Sequence, residues 1–94
     1  MVKNGEIYQV GNYKYLIISD KAEPYIGVLI TDIDKRKMFS NVSYHLFDYG
    51  SVCLEYTKHL NIEELTNNIG KIDDGTLSEI KLYISQMIQG DLTL

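Results

Sequence analysis

Residues 25–31 read Tyr-Ile-Gly-Val-Leu-Ile-Thr, a nearly continuous apolar run, and Asp32 follows directly. A short run of this kind, preceded by Pro24 and followed by charged residues, predicts a strand buried on both faces. Such a strand needs partners at its edges and cover above and below, so its flanks decide the fold. Its end raises a second question. An apolar strand that finishes on a hydroxyl and a carboxylate either meets solvent there or presents a reactive or ligand-binding group.

Working outward toward the N-terminus, Ile7, Tyr8 and Val10 are followed by Gly11-Asn12 and then by Tyr13-Lys14-Tyr15-Leu16-Ile17-Ile18. Two β-rich runs joined by a Gly/Asn pair predict a tight hairpin. Ser19 to Glu23 read as a polar turn. On the other side, residues 32–37 (DIDKRK) read as a turn, and residues 38–47 (MFSNVSYHLF) as one strand or as two short ones parted at Ser40-Asn41. Asp48-Tyr49-Gly50 ends that segment. Residues 51–58 (SVCLEYTK) alternate, which predicts Val52, Leu54 and Tyr56 on one face and Cys53, Glu55 and Thr57 on the other.

The last third changes period. Asn61 can cap a short helix through Ile62–Leu65 that ends at Ile69-Gly70. Thr76 with Glu79 reads as a capping box, Leu77, Ile80, Ile84, Met87 and Ile88 share one helical face, and Gly90 closes the helix. About five strands followed by a short helix and a longer C-terminal one predict a single α+β domain over residues 1–94, a small β-barrel with a helix packed on it.

Composition narrows the function classes. One cysteine, Cys53, excludes an intrachain disulfide, and no apolar run approaches membrane-spanning length or the core of a signal peptide. The expectation is a soluble cytoplasmic protein with no membrane partner. The net charge is −4, and it is uneven. Residues 1–60 hold seven basic and seven acidic side chains, whereas residues 61–94 hold two and six. Nucleic-acid binders normally show a basic surface, and the one basic run, Lys35-Arg36-Lys37, reads more readily as a solvated turn than as a phosphate contact.

The residues alone offer little chemistry. The seven glycines are scattered, so no phosphate-binding loop is present, and His45, His59 and Cys53 do not make a zinc set. No cofactor is expected. Asp73-Asp74 precede a helix, where carboxylates meet its dipole, so capping explains them. Nothing near Cys53 in sequence would activate its thiol.

The order of segments resembles the MazF/PemK toxins, small ribosome-independent ribonucleases. GEIYQV at 5–10 is similar to the family's opening strand, YLIIS at 15–19 to its second, and GVLIT at 27–31 to a central strand that ends in threonine. The longest match is SVCLEYTKHLNIEELTNNIGKIDD at 51–74. The resemblance covers about residues 5–88. It implies an SH3-like barrel (MazF/PemK/CcdB-like) and a homodimer, for which Leu82, Tyr83 or Met87 should lie exposed on an isolated protomer. It also implies metal-free cutting of single-stranded RNA to 2′,3′-cyclic phosphate and 5′-hydroxyl ends, and an antitoxin that occupies the RNA groove.

Carried over by position, Thr31 matches the catalytic threonine and Glu55 keeps an acidic position. The family's Arg-Pro pair is replaced by Tyr13-Lys14, its long first loop is reduced to Gly11-Asn12, and its later arginine is matched by Lys58. Tyr56 stands where the family has glutamine. The resemblance therefore implies Thr31, Lys14 and Glu55 as catalytic groups and Tyr13, Lys58 and Tyr56 as RNA contacts. The alternative is a catalytically inactive barrel of the same fold that binds a protein or ligand, in a phage or other mobile-element setting.

Overall fold

The computed structural model describes residues 1–21 and 23–93, with side chains described as far as residue 87 apart from residue 22. Six strands form one antiparallel sheet, curled into a half-barrel, in the order β4-β5-β3-β2-β1-β6. They are β1 (Glu6–Val10), β2 (Tyr13–Ser19), β3 (Tyr25–Thr31), β4 (Ser43–Leu46), β5 (Gly50–Leu60) and β6 (Asn68–Lys71). A single α-helix, α1 (Asp74–Thr93), follows.

The opening stretch behaves as its composition dictates. β3 lies inside the sheet between β2 and β5, and Val28, Leu29 and Ile30 are all 2% exposed or less. Val28 and Ile30 face a cluster that includes Ile7, Leu16 and, from α1, Leu77, Ile80 and Ile84. Leu29 faces the other cluster, where Val2 and Leu65 close over Tyr8, Tyr15, Ile17 and Leu60. A 94-residue chain thus has apolar cover on both sides of one sheet, with α1 on one side and turns on the other. Each fully buried aliphatic side chain contributes roughly 1.5–3 kcal/mol.

The β1–β2 hairpin is as tight as its sequence predicts. Val10 pairs with Tyr13, and Gly11 takes φ +61° at the first of two loop positions. That position favours glycine because L-residues meet their own backbone there.

Other segments differ from expectation. Residues 33–38 are a 3-10 helix (Ile33–Met38) rather than an open turn, and residues 38–47 give one short strand, β4, that begins after Ser40-Asn41. The helix expected from Asn61 is one 3-10 turn, Ile62–Glu64, in which the Asn61 N–H donates to Glu64 Oε1 at 3.3 Å. The expected helix end at Ile69-Gly70 is instead β6, a strand the sequence reading missed, which pairs with β1. Asn68, Ile69 and Lys71 are exposed, so β6 carries no burial pattern to read.

The alternation in β5 also breaks. Two steps along β3, from Val28 to Ile30, take up five along β5, from Thr57 to Val52. This bulge turns Tyr56 away from the face of Val52 and Leu54 and onto the face of Leu60, where it meets Phe39. Helix α1 begins earlier than expected and is described past Gly90 to Thr93. Asp73 is its cap, accepting the Thr76 N–H at 3.0 Å and the Thr76 hydroxyl at 2.7 Å. Glu79 does not complete a box but accepts from the Tyr44 and Tyr83 hydroxyls. Leu77, Ile80 and Ile84 form the buried face, and Ile88 lies outside the described side chains. Among the described residues no helix is long and apolar enough to cross a membrane.

Candidate functional site

The end of β3 is placed by two ladders. On one side Lys14 of β2 pairs with Ile30, so the same register carried one residue further sets Tyr13 beside Thr31. On the other, Thr31 pairs with Ser51 of β5. Gly50, at φ +119°, sits so close that a Cβ there would stand 2.6 Å from the Thr31 carbonyl oxygen. Only glycine allows the β4–β5 turn to press against the end of β3 in this way.

Beyond the strand end the chain enters the first 3-10 helix, which folds back beside the β1–β2 hairpin. Between them lies a groove of about 350 Å³, and its walls include Tyr13, Lys14, Thr31, Asp32, Lys35 and Phe39. Three of the residues singled out in the sequence, Thr31, Lys14 and Tyr13, therefore meet in one place. Lys14 Nζ donates to the Tyr49 carbonyl at 3.1 Å, which fixes its ammonium at the turn before Gly50. Asp32 occupies the N-cap position of the 3-10 helix, yet its side chain makes no capping hydrogen bond.

Aromatic rings run away from this groove along the same face. Tyr13 and Phe39 meet edge-on with centroids 6.1 Å apart, and Phe39 and Tyr56 do so at 5.8 Å. Tyr13 and Tyr56 are each about two-fifths exposed. Further along β5, Lys58 Nζ stands 5.7 Å from the centroid of the Tyr15 ring, close enough for a cation–π contact. Burial first, and the nearby Tyr56 and Tyr13 second, push the Tyr15 phenol above its ordinary value. Tyr56 and Lys58 are thus neighbours of the groove along a row, outside its walls.

Glu55 is placed elsewhere. Its Oε1 accepts the Asn41 N–H at 2.6 Å and the Ser40 hydroxyl at 3.3 Å, holding the loop between the 3-10 helix and β4. Its carboxylate faces a separate depression beside Lys37 and Asn41. Cys53 is buried, and that burial raises its thiol pKa, as expected of an inert core residue. Among the described residues no three His, Cys, Asp or Glu side chains are grouped to hold a metal ion.

Asn12, Asp32, Lys35 and Phe39 also line the groove, and the sequence does not mark them as site residues. Lys35 reads in the sequence only as part of a basic turn, and it is exposed, but it also walls the groove. Asp32 was visible as the polar end of an apolar strand. Phe39 carried no signal, because only the 3-10 helix returns it to the hairpin. Compared by sequence, the chain matches no family model and no curated protein.

Proposed function

We propose that the chain is a MazF/PemK-like, SH3-type barrel that takes single-stranded RNA into the groove at the end of β3 and cleaves it slowly without a metal. The observation that carries this reading is the convergence of Thr31, Lys14 and Tyr13 on one groove. The reaction is in-line attack of a ribose 2′-hydroxyl oxygen on the adjacent phosphorus. The P–O5′ bond breaks, leaving a 2′,3′-cyclic phosphate and a 5′-hydroxyl. The Thr31 hydroxyl donates to a non-bridging oxygen as charge develops, and the Lys14 ammonium neutralises it. Water takes the 2′-hydroxyl proton and returns one to the leaving oxygen.

The rate is low on this account. Lysine offers a point charge where an arginine would grip two phosphate oxygens, and losing one preorganised donor costs about 100- to 1,000-fold. Tyr13 supplies a face for a base, and Tyr56 and Lys58 extend the track. Glu55 acts on this reading through the loop it anchors. Leu82 and Tyr83, exposed on α1, are the surface a homodimer would use, whereas Met87 packs half-buried against the core.

A second reading has one observation in its favour. Lys14 Nζ already donates to the Tyr49 carbonyl, which stabilises an arrangement with no phosphate present. A barrel of this kind binds RNA or an antitoxin-like protein segment in the groove without cutting anything.

Incubation of purified protein with a long single-stranded RNA in EDTA separates the two. The expected result is slow cutting with cyclic-phosphate ends that is lost in Thr31→Ala and reduced at least about 100-fold in Lys14→Ala. Intact RNA after prolonged incubation with folded wild-type protein would leave only the binding module.

A further inference from the structure

We infer that the groove at the end of β3 selects guanine, with the Asp32 carboxylate reading the Watson–Crick edge of a base stacked against Tyr13. The inference rests on the proposal that the groove takes single-stranded RNA, and it names the nucleotide bound there. Asp32 stands at a helix N-cap, where a carboxylate ordinarily accepts backbone N–H groups, and it makes no such bond. It lines the groove instead, as does Asn12 of the hairpin. An exposed, acceptor-only carboxylate at the wall of a groove for RNA repels phosphate and can exchange its water for the N–H donors of a base.

Among the four bases only guanine places two N–H donors side by side, at N1 and N2, in the spacing of a carboxylate's two oxygens. Cytosine and adenine each set a lone pair next to their amino group, and uracil's N3–H lies between two carbonyls. Each of these turns an acceptor toward Asp32. In a single strand that edge is free of a pairing partner. The Asn12 amide can donate to O6, and Tyr13 with Phe39 gives an apolar wall for the ring. A groove of about 350 Å³ is near the small end of ligand clefts, a match for one nucleotide rather than a length of strand.

The test is fluorescence anisotropy in EDTA with labelled RNA heptamers of uridine carrying one central guanosine, inosine, adenosine or cytidine. The proposal expects guanosine to bind about tenfold tighter than inosine, which lacks the N2 donors, and tighter still than adenosine or cytidine. Asp32→Asn, at an exposed position, should bring the guanosine and inosine affinities to within about threefold of each other. Equal binding of all four central bases, or a guanosine preference that survives in Asp32→Asn, would overturn the selection and leave RNA binding standing. No binding of any heptamer by the folded protein would overturn the RNA reading itself, and guanine selection with it.

Discussion

Gly50 is the residue on which the strand-end geometry depends. Its backbone conformation is one that side chains rarely adopt, and its neighbour is the Thr31 carbonyl, a backbone atom that cannot swing aside. Gly50→Ala should cost about 1–3 kcal/mol in urea unfolding. It should also weaken RNA binding, because the same turn carries the Tyr49 carbonyl that fixes Lys14. Glu55 is expected to behave differently. Its bond to the Asn41 N–H is short but solvent-exposed, so Glu55→Ala should cost about 1 kcal/mol through a loosened loop. Binding of single-stranded RNA should stay within about twofold, since the carboxylate lies outside the groove walls. A folded Glu55→Ala protein that no longer binds RNA would return Glu55 to the site.

At the scale of elements, the start of α1 is where pH should be felt. The Thr76 hydroxyl, and then the Thr76 N–H, hold the Asp73 carboxyl below its ordinary value. A carboxylate whose folded value is depressed contributes stability above its unfolded value, near 3.9, and loses it as pH falls through the folded one. The urea midpoint of Asp73→Ala should therefore lie below that of the wild type at pH 6–7. The gap should close as pH falls below about 4, and a gap unchanged at low pH would mean that the carboxylate's charge has no part in the cap.

The elements also show what a sequence can and cannot carry. β3 and the buried face of α1 were legible because burial on a regular element leaves a period in the residues. β6 was not, because a four-residue edge strand with exposed side chains has none. The bulge in β5 was hidden for a related reason. Val52, Leu54 and Tyr56 keep perfect alternation in the text while the backbone changes face between them. Thr31, Lys14 and Tyr13, singled out by the resemblance, line one groove because a hairpin and a strand end set them side by side through local pairing. Phe39 and Lys35 depend on how a 3-10 helix returns to the hairpin, which is tertiary information.

At the scale of the whole molecule, the net charge of −4 sets a limit on how nucleic acid can be held. The structure has a radius of gyration of 12.6 Å, the size expected of a compact chain of this length. No distant basic domain among the described residues can lend it phosphate contacts. Within the groove only Lys14 and Lys35 carry positive charge, with Asp32 opposing them. Each phosphate neutralised on a single strand lowers the logarithm of affinity by about 0.7 per logarithm of salt, so the two groove lysines predict a slope of about −1.4, and about −2.1 when Lys58 on the track meets a third phosphate. Binding should accordingly be weak and fall only about seven- to twentyfold between 50 and 200 mM salt, with base stacking on Tyr13 and its neighbours supplying most of the remainder. A titration across that range reads the slope directly. Tyr13→Ala should weaken binding about five- to a hundredfold at every salt concentration without changing the slope, whereas Lys35→Ala should flatten it by about 0.7. A slope steeper than about −3 would require four or more phosphate contacts, more than these three lysines provide, and would move the RNA to a different face of the half-barrel.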